Sequence, residues 1–276
     1  MKTAQEFLQF RKASWIRLNQ LCEEFYFTPK GLTRPEICLK MNVSFELAVI
    51  IQFVLSAFSQ PKDPSKARRK DGSHIAAHSL QLFESAWNFF GIDIMEVYDA
   101  VLIHDVIEDT LVTGDEIGLE LGDRTAELAN LMTEEVQWFS GMLGSSFVQV
   151  DKDRGSIVRF VRKLKTGGKV IAIAEILDRI DDISDLKYLE DKLAKGGEDR
   201  DKALVGLIKK FGKCCYTVHE LTEESSDVRM LKQFFDQLMH EQVERLNHLE
   251  RDPNRWIVFH QIMGEADCYR ELESVV

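Results

Sequence analysis

The sequence predicts an all-α fold, and three observations support this prediction. Gly and Pro supply only 16 and 5 of the 276 residues, and a low content of chain breakers favours long helices. Apolar residues recur at helical spacing, whereas no period-2 alternation of useful length indicates a strand. Hydrophobic residues make up 45% of the chain, which is enough for a core and argues against disorder.

The N-terminal half is predicted to be helical in five segments, which are residues 3–27, 43–58, 74–90, 93–109 and 113–141. Between the first two segments, Pro29, Gly31 and Pro35 are expected to turn the chain. Thr113 followed by Glu116 is a capping-box signature for the fifth segment. The polar stretch 59–73 contains two prolines and a glycine, and it is the clearest boundary in the sequence.

The C-terminal half continues in the same way after a Gly/Ser-rich gap at 141–147. Helices are predicted over residues 154–165 and 169–190, followed by a helical remainder, 200–276, broken near Gly212 and Asp252-Pro253. We therefore predict an N-terminal helical extension (1–60), a central domain (61–195) and a C-terminal helical extension (196–276). Residues 230–252 are expected to pack on the core or to form the face of a homodimer.

The charge balance limits the classes of partner. The chain carries 35 basic and 46 acidic residues and a formal charge of −11, so bulk attraction to nucleic acid is not expected. We see no signal peptide, no apolar run of the roughly 20 residues that a membrane span needs, and five irregularly spaced cysteines without a disulfide pattern. We expect a soluble, cytoplasmic protein with no membrane partner.

A segment of unusual chemistry lies at residues 101–110, which read VLIHDVIEDT. On one helix, His104, Asp105, Glu108 and Asp109 would share an arc of about 140°. The apolar neighbours indicate burial, and buried carboxylates and imidazoles need partners or a metal ion. The alternative from this segment alone is a half-exposed helix with a solvated acidic face.

Two other segments support a metal site. His74 and His78 lie one helical turn apart in RKDGSHIAAH, and the segment 175–185 places four acidic residues on one helical stripe: Glu175, Asp178, Asp182 and Asp185. Like charges repel, so a cation is expected there; the alternative is an exposed acidic stripe. Imidazoles and carboxylates without thiolates suit Mn²⁺, Mg²⁺, Fe²⁺ or a catalytic Zn²⁺.

The order of these motifs resembles that of the HD-domain metal phosphohydrolases. RKDGSHIAAH, HDVIEDT, TGDEIGLELGD and KVIAIAEILDRIDDISDL are similar to the hydrolase domain of RelA/SpoT proteins and of small alarmone hydrolases, over about residues 65–190. The resemblance implies that the all-α fold is an HD-domain helical bundle with added N- and C-terminal helices. It also implies removal of the 3′-pyrophosphate of (p)ppGpp with Mn²⁺.

Carried over residue by residue, the resemblance assigns roles in three groups. The metal ligands would be His78, His104, Asp105 and Asp178. The catalytic acidic pair would be Glu108 and Asp109, which position or activate the attacking water. The nucleotide substrate would contact Arg69, Lys70, Asp71, Asp182, Arg162 and Lys163.

The sequence departs from the family pattern at four places: His74-Ile75 replaces a Pro-Tyr pair, and Ser79, Glu134 and Asp182 replace a Pro, a basic residue and an Asn. These departures leave the ligand positions intact but alter positions that would contact substrate. The sequence therefore leaves two other functions open, namely an HD phosphohydrolase acting on another nucleotide and a non-catalytic regulatory or binding module.

Overall fold

The prediction of an all-α fold is confirmed. A computed structural model describes residues 2–28, 31–63, 68, 73–133, 146–184, 198–221, 225–250 and 256–273. Regular structure in these ranges is helical, and β-type pairing is limited to the isolated bridges Pro61–Thr110 and Arg68–His74. The chain divides into two compact units. The first comprises Met1–Thr133 with Ile173–Leu177, and the second comprises Glu134–Ala172 with Asp178–Val276.

The first unit contains eight α-helices within its described residues. They are α1 (Ala4–Phe27), α2 (Arg34–Met41), α3 (Phe45–Ala57), α4 (Ala76–Glu84), α5 (Met95–Ile103), α6 (Val106–Asp109), α7 (Gly114–Leu121) and α8 (Asp123–Met132). A π-helical segment, Ser85–Phe90, continues α4. Side-chain caps fix several starts: Thr3 and Thr113 form capping boxes with Glu6 and Glu116, so the predicted capping box at Thr113 is confirmed.

Helix α4 lies at the centre of the first unit. Every residue from Ala76 to Glu84 is buried, and α1, α3 and α5 all pack against this helix. Burial on all faces includes the ionisable side chains of His78 and Glu84, and the Glu84 carboxylate pairs with Arg17 of α1. The tight packing around α4 therefore fixes the position of His78 from several directions.

Three predictions for the first unit are wrong in detail. Pro35 does not end helical structure but lies in the first turn of α2, where its missing N–H costs nothing. The helix predicted over 93–109 is interrupted, because His104 and Asp105 form a turn between α5 and α6. The helix predicted over 113–141 is divided at Gly122, whose φ of +97° favours glycine.

The second unit contains five helices within its described residues. They are α9 (Ser146–Thr166), α10 (Gly168–Ser184), whose residues Ile173–Leu177 belong to the first unit, α11 (Glu198–Glu220), α12 (Ser226–Glu250) and α13 (Trp256–Glu273). α13 packs against α9, α11 and α12. The core of this unit includes stacked rings of Tyr216 and Tyr269, whose centroids are 5.2 Å apart.

The predicted break near Gly212 is wrong, because α11 continues through this residue to Glu220. A Cβ at position 212 would lie 2.6 Å from Glu265 of α13. Glycine at this position therefore permits close packing of two helices. The second predicted break, at Asp252-Pro253, and the ends of the helices predicted to reach residues 141 and 190 lie outside the described residues.

The two compact units do not test the predicted boundaries near residues 60 and 195, which stay predictions.

Among the described residues, no single helix has the length and apolarity to cross a membrane. Helices α2 and α3, bent by 106° relative to each other, reach that length and apolarity only as a pair.

A partly buried carboxylate in α5 gives the first unit a testable pH dependence. Burial raises the pKa of Asp99 to about 6. Its Oδ2 accepts a hydrogen bond from Thr125 of α8 at 3.4 Å, while its buried Oδ1 has no hydrogen-bond partner. Because the folded-state pKa lies above the ordinary value of 3.8 for an aspartate, protonated Asp99 favours folding below pH 4, and this contribution is lost as the pH rises through 6.

We predict that Asp99→Asn removes this pH dependence. Relative to wild type, the free energy of unfolding of the variant should rise by about 1–2 kcal/mol between pH 4 and pH 7, a value reduced for partial exposure of the carboxylate. Urea unfolding followed by circular dichroism at several pH values measures the difference. Asp93→Asn, a change at an exposed loop residue just before α5, is the control; a constant difference between Asp99→Asn and wild type would contradict the prediction.

Candidate metal centre

The candidate metal centre is built on two elements of the first unit that bring histidines together. His78 lies in the first turns of α4, and His104 directly follows the last residue of α5. Both imidazoles are buried, with 4% of each residue exposed. Their rings meet edge to face with centroids 5.1 Å apart. The predicted proximity of the two histidines is thus found in the structure.

The tautomer of His104 is set by the backbone of α5. Its Nδ1 lies 2.9 Å from the carbonyl oxygen of Val101, and a carbonyl can only accept a hydrogen bond, so Nδ1 carries the proton. In the neutral ring, Nε2 then presents a lone pair. This arrangement, in which one ring nitrogen is held by a backbone carbonyl, is typical of histidines that bind metals through the other.

The Nε2 atom of His104 faces a carboxylate. Asp105 Oδ2 lies 3.0 Å from His104 Nε2 and 3.9 Å from His78 Nε2. A neutral His104 and an ionised Asp105 would place two acceptors against each other, so this contact requires a proton on Nε2 or on the carboxyl, or a cation at the group. The turn at His104–Asp105, which replaces the predicted continuous helix, produces this contact.

Asp178 completes the group. The preceding residues of α10, Ile173–Leu177, belong to the first unit, and Asp178 is the next residue of the same helix. Ligand atoms of His78, His104 and Asp178 all lie within 4.8 Å of one another, and all three residues are buried. Two imidazoles and a carboxylate at this separation could bind a divalent metal ion.

The predicted catalytic pair lies one turn beyond Asp105. Glu108 and Asp109 are half-buried in α6. The Asp109 N–H donates to the carbonyl of Asp105 at 2.9 Å, and the Asp109 carbonyl accepts from the N–H of Lys62 at 2.9 Å. The isolated bridge between Pro61 and Thr110 holds the same turn from the other side. Residues of the predicted boundary stretch 59–73 therefore stabilise the turn that carries the acidic pair.

The predicted substrate residues fall into two classes. Arg69, Lys70 and Asp71 lie outside the described residues, whereas Arg68 and His74, which flank them, are anchored to α1. Glu23 Oε1 lies 2.8 Å from Arg68 Nη2 and 3.2 Å from His74 Nε2. His74, which replaces a proline of the family pattern, also packs its ring on Tyr26 at a centroid distance of 4.7 Å.

The remaining predicted substrate residues lie on α9 and α10. Arg162 and Lys163 are half-buried on α9. Asp182 of α10 pairs with Arg179 at 2.9 Å and with Lys210 of α11 at 3.0 Å. Its carboxylate is thus compensated by two cations of the chain itself. None of these findings tests the roles assigned to these residues, which stay predictions.

Arg179 neutralises part of the acidic stripe predicted on α10, and the sequence analysis did not identify this role. Arg179 pairs with Asp178 at 3.1 Å and with Asp182. The spacing i to i+3 between Arg179 and Asp182 was visible in the sequence and indicates such a pair. Lys210 could not have been found in this way, because it comes from another helix. Asp185, the last residue of the predicted stripe, lies outside the described residues.

The chain matches no family model, no curated protein and no solved structure.

We predict that His104→Gln weakens Mn²⁺ binding by more than about 100-fold, because the substitution removes one of the three grouped ligands and its fixed tautomer. Isothermal titration calorimetry of the metal-stripped chain measures the affinity, and circular dichroism checks that the variant is folded. His260→Gln, a change at an exposed histidine of α13, is the control. Equal Mn²⁺ affinity of His104→Gln and wild type would exclude His104 as a ligand.

Proposed function

We propose that the chain is a metal-dependent phosphohydrolase of the HD type that removes the 3′-pyrophosphate of (p)ppGpp-like nucleotides. One observation carries the proposal, namely the buried group of His78, His104 and Asp178, whose ligand atoms lie within 4.8 Å of one another. The order of these residues along the chain, with Asp105 after His104, is the order that the resemblance to RelA/SpoT hydrolase domains implies.

The donor set fits a divalent metal ion. Two buried imidazoles and one buried carboxylate, with Asp105 Oδ2 3.0 Å from His104 Nε2, are ligands of hard to borderline character, and Mn²⁺ suits them. When bound, such an ion supplies Lewis-acid polarisation of a phosphoryl oxygen and makes a coordinated water more acidic. His78, His104, Asp105 and Asp178 are the residues that would hold it.

The acidic pair supplies the proton chemistry in this proposal. A carboxylate of Glu108 or Asp109 within hydrogen-bond reach would orient the attacking water and accept its proton. The water oxygen forms a bond to the phosphorus next to the ribose, the bond between that phosphorus and the 3′ oxygen breaks, and the 3′ oxygen takes up a proton. The products are pyrophosphate and GDP from ppGpp, or pyrophosphate and GTP from pppGpp. Backbone hydrogen bonds of Asp109 to Asp105 and Lys62 fix the main chain that carries this pair.

Substrate recognition is assigned by the resemblance. Arg69, Lys70 and Asp71 would hold the base and a phosphate, and Arg162 and Lys163 would add positive charge. Local cations are needed because the chain carries a net charge of −11 while the substrate is a polyanion.

A second candidate function is hydrolysis of another nucleotide. Asp182, which replaces the usual Asn of the family, is paired with Arg179 and Lys210. An aspartate held by two cations differs from an amide that contacts ribose or phosphate, and this difference favours a different substrate contact at this position.

We predict that the wild-type chain loaded with Mn²⁺ releases pyrophosphate from ppGpp and that the double variant Glu108→Gln with Asp109→Asn lowers the rate by about 100-fold or more, because both candidate proton acceptors are removed. Pyrophosphate is measured by an enzyme-coupled assay. Glu120→Gln, at an exposed position of α7, is the matched control and should retain the wild-type rate.

The outcomes separate the candidates. Hydrolysis of a different nucleotide with ppGpp untouched would select the second candidate. A chain that binds Mn²⁺ but hydrolyses no nucleotide in a panel of phosphorylated nucleosides would contradict both and favour a non-catalytic binding module.

A further inference from the structure

A line of alternating charges extends from the candidate metal ligand Asp178. Arg179 Nη2 lies 3.1 Å from Asp178 Oδ2, Arg179 Nη1 lies 2.9 Å from Asp182 Oδ2, and Lys210 Nζ lies 3.0 Å from Asp182 Oδ1. We call these four residues the α10–α11 relay. All four belong to the second unit, so the relay is internal to one compact body.

Burial of these charged side chains costs free energy unless each charge is paired. The side chains of Arg179 and Asp178 are only 9% and 12% exposed, that of Asp182 is 21% exposed and that of Lys210 is 35% exposed. A guanidinium so far from water needs partners, and two carboxylates supply them. The formal charges of the four residues cancel, which lowers the cost of their burial.

The planar guanidinium of Arg179 links the carboxylates of Asp178 and Asp182. Arg179 presents two different nitrogens to two carboxylates, so the two ion pairs together orient its planar guanidinium. Contact of Arg179 with Oδ2 of Asp178 restricts the rotation of that carboxylate. Partners behind a metal ligand of this kind commonly set its orientation and the affinity of the site.

Lys210 fixes the far end of the relay. Lys210 Nζ contacts Oδ1 of Asp182, whereas Arg179 Nη1 contacts Oδ2. Each cation therefore pairs with one oxygen of the carboxylate. Without Lys210, Asp182 would be free to engage the guanidinium with both oxygens and draw it away from Asp178. An asparagine at 182 offers one oxygen and would place an amide N–H₂ against a cation.

We propose that Arg179, Asp182 and Lys210 are positioning residues that orient Asp178 for metal binding. This inference rests on the proposed function, because it needs a metal ion at the His78, His104 and Asp178 group. It gives Asp182 a different role from the substrate contact that the resemblance implies. The carboxylate of Asp182 offers a separate oxygen and negative charge to the two cations, whereas an amide offers one neutral oxygen.

The sharpest test is Lys210→Met, because simple charge effects and the relay predict opposite results. Removal of a positive charge near a cation site relieves Coulomb repulsion, and this effect alone would strengthen Mn²⁺ binding. The relay instead predicts binding about 10-fold weaker or more. Calorimetric titration of the full-length, metal-stripped chain with Mn²⁺ alone measures the affinity. Lys209→Met removes the same charge from an exposed neighbour in α11 and should leave the affinity within about twofold.

Two further variants separate positioning from a general structural role. Lys210→Arg should recover most of the wild-type affinity, whereas Asp182→Asn should weaken Mn²⁺ binding by about 10- to 100-fold. The melting temperature of each metal-free variant reports folding independently of the metal. If Lys210→Met is folded and binds Mn²⁺ as tightly as wild type or more tightly, the relay is overturned and the proposed function stands. If the wild-type chain itself does not bind Mn²⁺, both are overturned.

Discussion

The contact between His104 and Asp105 is the constraint on which the candidate site depends. The carbonyl of Val101 holds the Nδ1 proton of His104, so Nε2 meets the Asp105 carboxylate at 3.0 Å as an acceptor unless a proton or a cation intervenes. Asp178 brings a further carboxylate to the same group. A divalent ion could satisfy all of these groups at once.

The surrounding structure keeps these groups in place. Helix α4 is buried along its whole length, so His78 has little freedom to move, and the turn after α5 is tied through Asp109 to the segment around Lys62. Ion pairs continue the same principle on α10, where Arg179 is shared by two carboxylates. Packing holds the imidazole of His78, and an ion pair with Arg179 holds the carboxylate of Asp178. Both reduce the conformational entropy that would be lost when a ligand binds.

The sequence predicted the helical class and most helix positions, because apolar periodicity and capping residues such as Thr113 act locally. It failed where one backbone position decides the result, as at Gly122 with its positive φ, or where another helix does, as at Gly212 beneath Glu265. For the site, motif spacing indicated candidate residues, and the resemblance selected His78, His104 and Asp178 among them; these three lie together. The break at His104–Asp105 and the partnership of Asp182 with Lys210 arise from tertiary packing, which no local pattern encodes.

The most direct test of the metal centre is a crystal structure of the chain grown with Mn²⁺, with anomalous diffraction data used to locate the ion. We predict one anomalous peak at bonding distance from His104 Nε2, from His78 and from the carboxylate of Asp178. Absence of manganese from this group under saturating Mn²⁺, with His104 Nε2 still facing Asp105 Oδ2 directly, would contradict it.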